Sequence, residues 1–377
     1  MGTEKSIYIV LIENIVFNKL YRKVNNLPTQ EVKKELSEET RKIQFTGKST
    51  YIISLPKRWV ESMNLEAGSQ LIISRQDHSL ILTPKDLVKP AKPTEATILI
   101  SQKDDPNSLM RKIIALYLVG YNFIRIESKD GHITSLQRNF IRDLTRKKLV
   151  GTEIISESMN DIRLQILLSY PELSVESALR RMCLIAMSMH EDAMLALKKL
   201  DKKLAQDIIT LDDEVDRFSF YIIRQLKSAV QSEKILKEIG LTDLRDCLGY
   251  RVLVKSVERI ADHAAKVAEN IIFLEEKIND SITQKISEIS HFARSVFSDS
   301  INSFYKKNYL SADNLISKAK TITSMEADAI KEISKKVEAS KIPYVRMIME
   351  SIRRTAEYAS DIAEVVLNLN VNQITVT

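Results

Sequence analysis

The chain has 377 residues, 44% of them hydrophobic and 28% charged, with a formal net charge of +6. That length suits two or three domains with cores of their own, and the proportions exclude disordered, collagen-like and low-complexity polymers. The two cysteines, Cys183 and Cys247, are far apart and lack C-x-x-C spacing, which excludes a zinc knuckle, a thioredoxin-type pair or a disulfide framework and points to a reducing cytoplasm.

Residues 1–38 read as an extension or an overextended start. The apolar run Ile7–Ile12 stops at Glu13, far short of the roughly 20 residues a membrane helix needs, and no signal-peptide pattern follows, so no membrane insertion is expected. Over 39–87 short β-rich runs alternate with turns: strands at 41–45, 51–55, 71–74 and 80–83, a short helix at 57–65, and turns at Gly47, Gly68 and Asp77-His78. So small a module cannot bury enough surface alone, and homodimerisation follows as an expectation. Between Arg41 and Pro93 nine basic residues face four acidic ones, nearly the whole formal excess of +6. Doubled by a twofold axis, that patch suits the backbone of double-stranded DNA.

Residues 88–94, with two prolines, form a linker. The middle unit, 95–170, alternates strands (96–101, 122–127, 152–156, 161–168) with helices (107–119, closed by Gly120, and 135–149) and predicts a ferredoxin-like or related α/β sandwich. Its basic stretch Arg138, Arg142, Arg146, Lys147 and Lys148 reads as a solvated helix face.

After Gly249 there is no glycine, as expected of long helices. From Leu253 apolar residues recur at alternating four- and three-residue steps, the seam of a bundle helix. Val257, Ile260, Ala264, Val267 and Ile271 line up with Ile352, Thr355, Ala359, Ile362 and Val366 at one constant offset, which predicts a duplicated helical unit. The two copies, 174–277 and 283–369, each divide into three helices: 174–200, 202–231 and 245–277, then 283–307, 310–339 and 342–369. Residues 371–377 read as a frayed tail.

In the first copy Asp212-x-x-x-Asp216 and Glu258-x-x-x-Asp262 each stack two carboxylates one turn apart on a helix face. Four converging carboxylates suit a hard cation such as Mg²⁺, Ca²⁺, Mn²⁺ or iron, with His263 as a further ligand; on an ordinary bundle helix the same acids simply point outward to solvent. The second copy has Arg353 and Glu357 at the places of Glu258 and Asp262, and Ser324 and Asp328 at those of Asp212 and Asp216, so its site is degraded. A di-iron oxidase would need two Glu-x-x-His motifs, and Glu288-x-x-His291 stands alone. Phosphate-loop, nucleophile-elbow and zinc-protease motifs are lacking, and no enzyme is expected. His132 reads as a turn residue and His190 as a helix-flank residue.

Arg41-Lys-Ile, Gly47-Lys48, Tyr51-Ile-Ile-Ser-Leu-Pro56, the short helix and Leu65-x-x-Gly68 resemble the AbrB/SpoVT swapped-hairpin DNA-binding family. The resemblance implies that two chains interleave their hairpins and that Arg41, Lys42 and Lys48, with Lys57 and Arg58 of the helix, touch DNA; the family's later arginine pair is replaced by Val60 and Glu61. The helical half resembles the PhoU family of phosphate-uptake regulators, most tellingly at Glu258-Arg-Ile-Ala-Asp-His-Ala264. That implies a cytoplasmic protein of two three-helix bundles, holding a metal ion or cluster (iron, zinc, manganese or magnesium) on Asp212, Asp216, Glu258 and Asp262. An AbrB-like head on a PhoU-like body looks like the archaeal form of these regulators. The expected whole is multidomain and mainly α: a swapped-hairpin β module, an α/β middle unit and a duplicated three-helix-bundle half. Its expected role is a non-enzymatic, dimeric regulator of phosphate uptake that binds DNA. The alternatives are an adaptor that docks on a phosphate transporter or its ATPase without touching DNA, and a metal-dependent enzyme on the bundle surface.

Overall fold

The computed structural model describes residues 39–47, 49–76, 79–85, 94–168 and 173–375, so the extension and nearly all of the linker fall outside the described residues. The chain divides into two compact units, Met1–Ala91 and Lys92–Thr377.

In the first unit β1 (Gln44–Thr46) and β2 (Thr50–Ile52) pair antiparallel around Gly47, whose φ of 62° needs a residue without a Cβ. The first strand begins at Gln44 rather than Arg41. Helix α1 (Lys57–Ser62) follows Pro56, and β3 (Leu71–Gln76) pairs with β4 (Ser79–Pro84) in a second, separate hairpin. Alternation along these strands creates apolar faces that no described residue covers. Ile43, Phe45, Tyr51, Ile73 and Leu80 are all more than half exposed, and α1 buries no residue. Isolated two-stranded hairpins are marginal in water, so these described residues lack a core within one copy.

The second unit opens with β5 (Glu95–Ile100), α2 (Pro106–Val119), β6 (Phe123–Ser128), α3 (Ser135–Lys148), β7 (Thr152–Glu157) and β8 (Asp161–Ile166). Asp105 caps α2 by accepting from the Ser108 amide, and Thr134 and Gln137 form a capping box on α3. The sheet order is β5-β6-β8-β7, with β5 parallel to β6 and β8 antiparallel to both neighbours. The α/β character is as expected, but a ferredoxin-like βαββαβ order is not formed. The turn Ser158–Asn160 is too short for a crossover and forces β7 and β8 into a hairpin. Ile100, Ile113, Tyr117, Ile124, Ile141 and Leu164 form the core of this α/β unit.

Gly151, before β7, has φ +66°, and a Cβ there would strike the side chain of Leu168. Gly151→Ala should therefore destabilise the α/β unit by about 1–2 kcal/mol, read as a lower thermal midpoint. An unchanged midpoint would mean that the turn relaxes freely.

The helical body comprises α4 (Val175–Lys199), α5 (Lys202–Gln231), the short α6 (Glu233–Glu238), α7 (Asp246–Phe273), α8 (Asp280–Tyr305), α9 (Tyr309–Ala319), α10 (Thr321–Lys336) and α11 (Ile342–Leu369). Leu200 ends α4 in a left-handed conformation, and Asp201 starts α5 by accepting from the amides of Lys203 and Leu204. The seam of α7 from Val257 to Ile271 is wholly buried, as are its partners on α11. Thr355 keeps a hydroxyl in that seam by donating to the Ser351 carbonyl and meeting His190 Nε2 at 3.2 Å.

Three expectations are corrected. The helix predicted over 310–339 breaks at Lys320, where the β-branched Thr321-Ile322-Thr323 follows and the hydroxyls of Thr321 and Ser324 bond carbonyls three residues back. The tail is held as far as Gln373, whose side chain accepts from the Tyr309 amide and donates to the Lys307 carbonyl. His190 is a core residue, 1% exposed, with Nε2 against the Ile260 carbonyl at 2.9 Å; burial lowers its pKa to about 4 and keeps it neutral. No helix among the described residues is long and apolar enough to cross a membrane.

Candidate functional site

The two acidic pairs meet where α5 packs along α7. The buried Ile208 and Val215 flank Asp212 and set its face of α5 toward the bundle. The buried Val257 and Ile260 do the same for Glu258 and Asp262 on α7. The four acids thus leave the solvated face on which spacing alone could have put them: the Glu258 and Asp216 side chains keep 12% and 21% of their surface.

Asp212 shows the cost. Burial, and then the fields of Asp216, Asp262 and Glu258, raise its pKa to about 7, with Lys148 pulling the other way. Its Oδ1 is buried with no hydrogen-bond partner. Asp262 is raised to about 6 by burial and by Glu258 and Asp216. Lys255, on the same helix, pairs with Glu258. His263 serves elsewhere: its ring stacks on Tyr358 of α11 at 5.7 Å, and burial lowers its pKa to about 4.

The sequence pattern does not disclose Lys148, Asp213 or Lys255 as members of this patch. Lys148, the last residue of α3, turns its Nζ into the patch, 2.8 Å from Asp213 Oδ1 and 3.1 Å from Asp216 Oδ2. Burial works against its charge, but the hydrogen bond to Asp213 and the field of Asp216 outweigh it and the pKa stays above the usual lysine value. The basic stretch of α3 is therefore not one solvated face. Arg138 and Arg142 are both spent on Glu157, and Lys148 is spent on the bundle. The signal in the sequence is a lysine closing a helix just before a glycine turn, which by itself does not say where the side chain goes.

The second copy solves the same problem internally. Arg353, at the offset position of Glu258, reaches Glu326 at 2.8 Å and also pairs with Glu357. Buried Ile322 and Ala329 flank Glu326 as Ile208 and Val215 flank Asp212. Glu326, not Ser324, is therefore the counterpart of Asp212; Asp328 is exposed and pairs with Lys331.

All the acids of the first-copy patch offer carboxylate oxygens, the orphaned Asp212 Oδ1 among them, which fits a hard cation in kind. Among the described residues no three His, Cys, Asp or Glu side chains close into a ligand set. The patch is one electrostatic neighbourhood whose cations are two ammonium groups, Lys148 on Asp213 and Asp216 and Lys255 on Glu258.

In the first unit Arg41 pairs with Glu39, Lys42 is exposed, and Lys57 lies 3.6 Å from Glu61 with 88% of its side chain free. Arg58 is exposed beside it, and Lys48 lies outside the described residues. Lys57 and Arg58 share the first turn of α1 next to the uncovered hairpins.

Residues 179–271 match the model of the PhoU domain, and residues 44–89 match that of the antidote-toxin recognition MazE family of bacterial antitoxins. Among curated proteins, the phosphate-specific transport system accessory protein PhoU homolog of Borreliella burgdorferi is 26% identical over 140 residues, 34% of this chain and 61% of that one. The homolog of the same description from Clostridium acetobutylicum is 28% identical over 134 residues, 36% and 60% of the two chains. The chain thus spans about three-fifths of the length of these relatives. The crystal structure of PhoU from Pseudomonas aeruginosa superposes with a TM-score of 0.48 at 24% identity, over 52% of this chain and 96% of that one. The chain carries a PhoU domain behind a MazE/AbrB-like module.

Proposed function

We propose that this chain is a non-enzymatic regulator of phosphate uptake: two copies of the front module, paired through their apolar hairpin faces, hold double-stranded DNA, and the PhoU-like body adjusts that hold. The observation that carries the reading is the coreless, basic MazE-like module on the same chain as a PhoU domain. A second copy is the simplest cover for Ile43, Phe45, Tyr51, Ile73 and Leu80, and it brings Arg41, Lys42, Lys48, Lys57 and Arg58 together in duplicate. These side chains are backbone-contacting cations. In the body, Asp212, Asp216, Glu258 and Asp262 would hold a metal ion, with hard Mg²⁺ or Mn²⁺ suiting carboxylates better than zinc or iron; the ion would neutralise the patch and so tighten α5 against α7.

Fluorescence anisotropy of a labelled DNA duplex at two salt concentrations tests the DNA role. Affinity should fall steeply with salt, and Lys57→Glu with Arg58→Glu should weaken binding by roughly tenfold or more while flattening the slope by about one for each phosphate no longer neutralised. Unchanged affinity and slope would remove these two residues from the interface. The relatives' description as transport-system accessory proteins supports a second reading, an adaptor on the transporter ATPase that uses the front module only to dimerise. Capture of that ATPase by a protein with no measurable duplex affinity would establish it.

A further inference from the structure

Two guanidiniums on α7 have no acid to pair with. Arg251, Lys255 and Arg259 follow one another at four-residue steps, so they share one helix face, and all three line an open groove of about 420 Å³ beside α11. Lys255 is paired with Glu258, whereas Arg251 and Arg259 have no carboxylate within ion-pair distance among the described residues. Arg259 is held instead by Tyr358 of α11: its guanidinium donates to the phenolic oxygen at 3.1 Å and lies 5.5 Å from the ring centroid, and His263 stacks on the same ring. Having accepted that bond, the phenol keeps its own hydrogen to donate. Ser256 adds a second donor to the groove. It is 4% exposed, yet its hydroxyl makes no hydrogen bond among the described residues, where a serine inside a helix often bonds back to the carbonyl four residues earlier. At the equivalent place on α11, at the offset that aligns the two copies, stand Arg346, Glu350 and Arg354. An acid interrupts that row, and Glu357 holds its Arg354.

We propose that this groove binds inorganic phosphate in the form of hydrogen phosphate. That gives a ligand to the body of the regulator proposed above and rests on that reading for its purpose, while the site itself rests on the groove. The donors are of the kind a phosphate uses: two guanidiniums whose planar forks match its oxygens, an ammonium between them, and two hydroxyl groups. Asp361 of α11, the one acid among the described residues that line the groove, sets the specificity. A carboxylate there repels a fully ionised oxyanion, but it accepts from the hydroxyl that hydrogen phosphate carries and sulfate lacks. Burial and the fields of Glu364 and Glu357 raise the Asp361 pKa above its ordinary value, which makes it a better acceptor for that proton. A phosphate monoester in its dianionic form has no such hydroxyl either, so the groove should select the free ion. Once bound, phosphate would draw Lys255 off Glu258 and tie α7 of the first copy to α11 of the second.

Isothermal titration calorimetry of the full chain in a chloride buffer tests this, with inorganic phosphate, sulfate and adenosine monophosphate as the ligands. Phosphate should bind saturably and about tenfold or more tightly than either of the others. Arg251→Gln, a change at an exposed residue, and Arg259→Gln should each weaken phosphate binding by about tenfold or more, and Ser256→Ala by less. Asp361→Asn should weaken phosphate and strengthen sulfate, narrowing the preference between them. Phosphate affinity unchanged in both arginine variants would overturn the site, and so would the absence of saturable uptake. Sulfate or the monophosphate binding as tightly as phosphate would overturn the assignment to hydrogen phosphate. Because the readout is the ligand itself, loss of this site leaves the DNA role to its own duplex titration. A chain that binds phosphate in the groove without duplex affinity would remove the DNA role and keep the site.

Discussion

Arg224→Ala is expected to split the unfolding of the second unit into two transitions, with the α/β unit melting first, at a cost on the order of 3–5 kcal/mol. Arg224 is 2% exposed and stands on α5, a helix of the bundle, yet its guanidinium donates to the carbonyl of Tyr117 and, at 3.2 Å, to that of Gly120. Both carbonyls belong to the C-terminal turn of α2, where the helix is short of amide donors, Tyr117 keeping one from Gly120, and its dipole is negative. The Tyr117 ring lies 5.0 Å below the same guanidinium. Hydrogen bonds to a charged donor contribute about 1.5–3 kcal/mol each, and truncation would take that donor from the Gly120 carbonyl, leave Tyr117 with the Gly120 amide alone, and open a cavity. The α/β unit has its own core, to which α5 lends Phe220, so it should lose its docking rather than its fold. Arg224→Lys keeps the charge without the fork and should fall between the two. Calorimetry decides: one undivided transition at the wild-type midpoint would show that docking depends on apolar packing alone.

The helical half is legible because its signal is repetitive. Val257 to Ile271 and Ile352 to Val366 carry the same periodic seam, and periodicity survives the loss of identity that puts Arg353 opposite Glu258. What resists reading depends on long-range partners. The order of β7 and β8 follows from a three-residue turn, and sequence pattern gives strands without their neighbours. Lys148 differs from the exposed Lys147 next to it only in the direction a helix turn gives it. Even the counterpart of Asp212 lies two positions from where the motif puts it, since one short acidic motif has little to hold its register until the buried Ile322 and Ala329 fix it. In the front module the alternation is plain in the sequence, and its exposed apolar residues, Ile43, Phe45 and Tyr51 among them, are what a module too small for its own core leaves exposed.

Asp212→Asn should have opposite effects with and without a divalent ion. In the ion-free protein the Asp212 pKa of about 7, raised by burial and three acidic neighbours, exceeds the ordinary carboxylate value. The folded state therefore binds the proton more tightly than the unfolded chain. This group's stabilising contribution is full below pH 4 and is lost as pH rises toward 7. In a chelator, Asp212→Asn, neutral throughout, should be more stable than wild type at pH 8 by about 2 kcal/mol, a figure reduced for the partial exposure of the site, and the advantage should vanish near pH 4. If the patch holds the ion proposed above, saturating Mn²⁺ should reverse the order at pH 8, because such an ion would stabilise only the protein that retains the carboxylate, and by an amount that grows with its concentration. Denaturant unfolding at pH 4, 6 and 8, with chelator and with Mn²⁺, measures all of this. A variant less stable than wild type at pH 8 in chelator would mean that Lys148 already compensates the patch fully and holds Asp212 ionised.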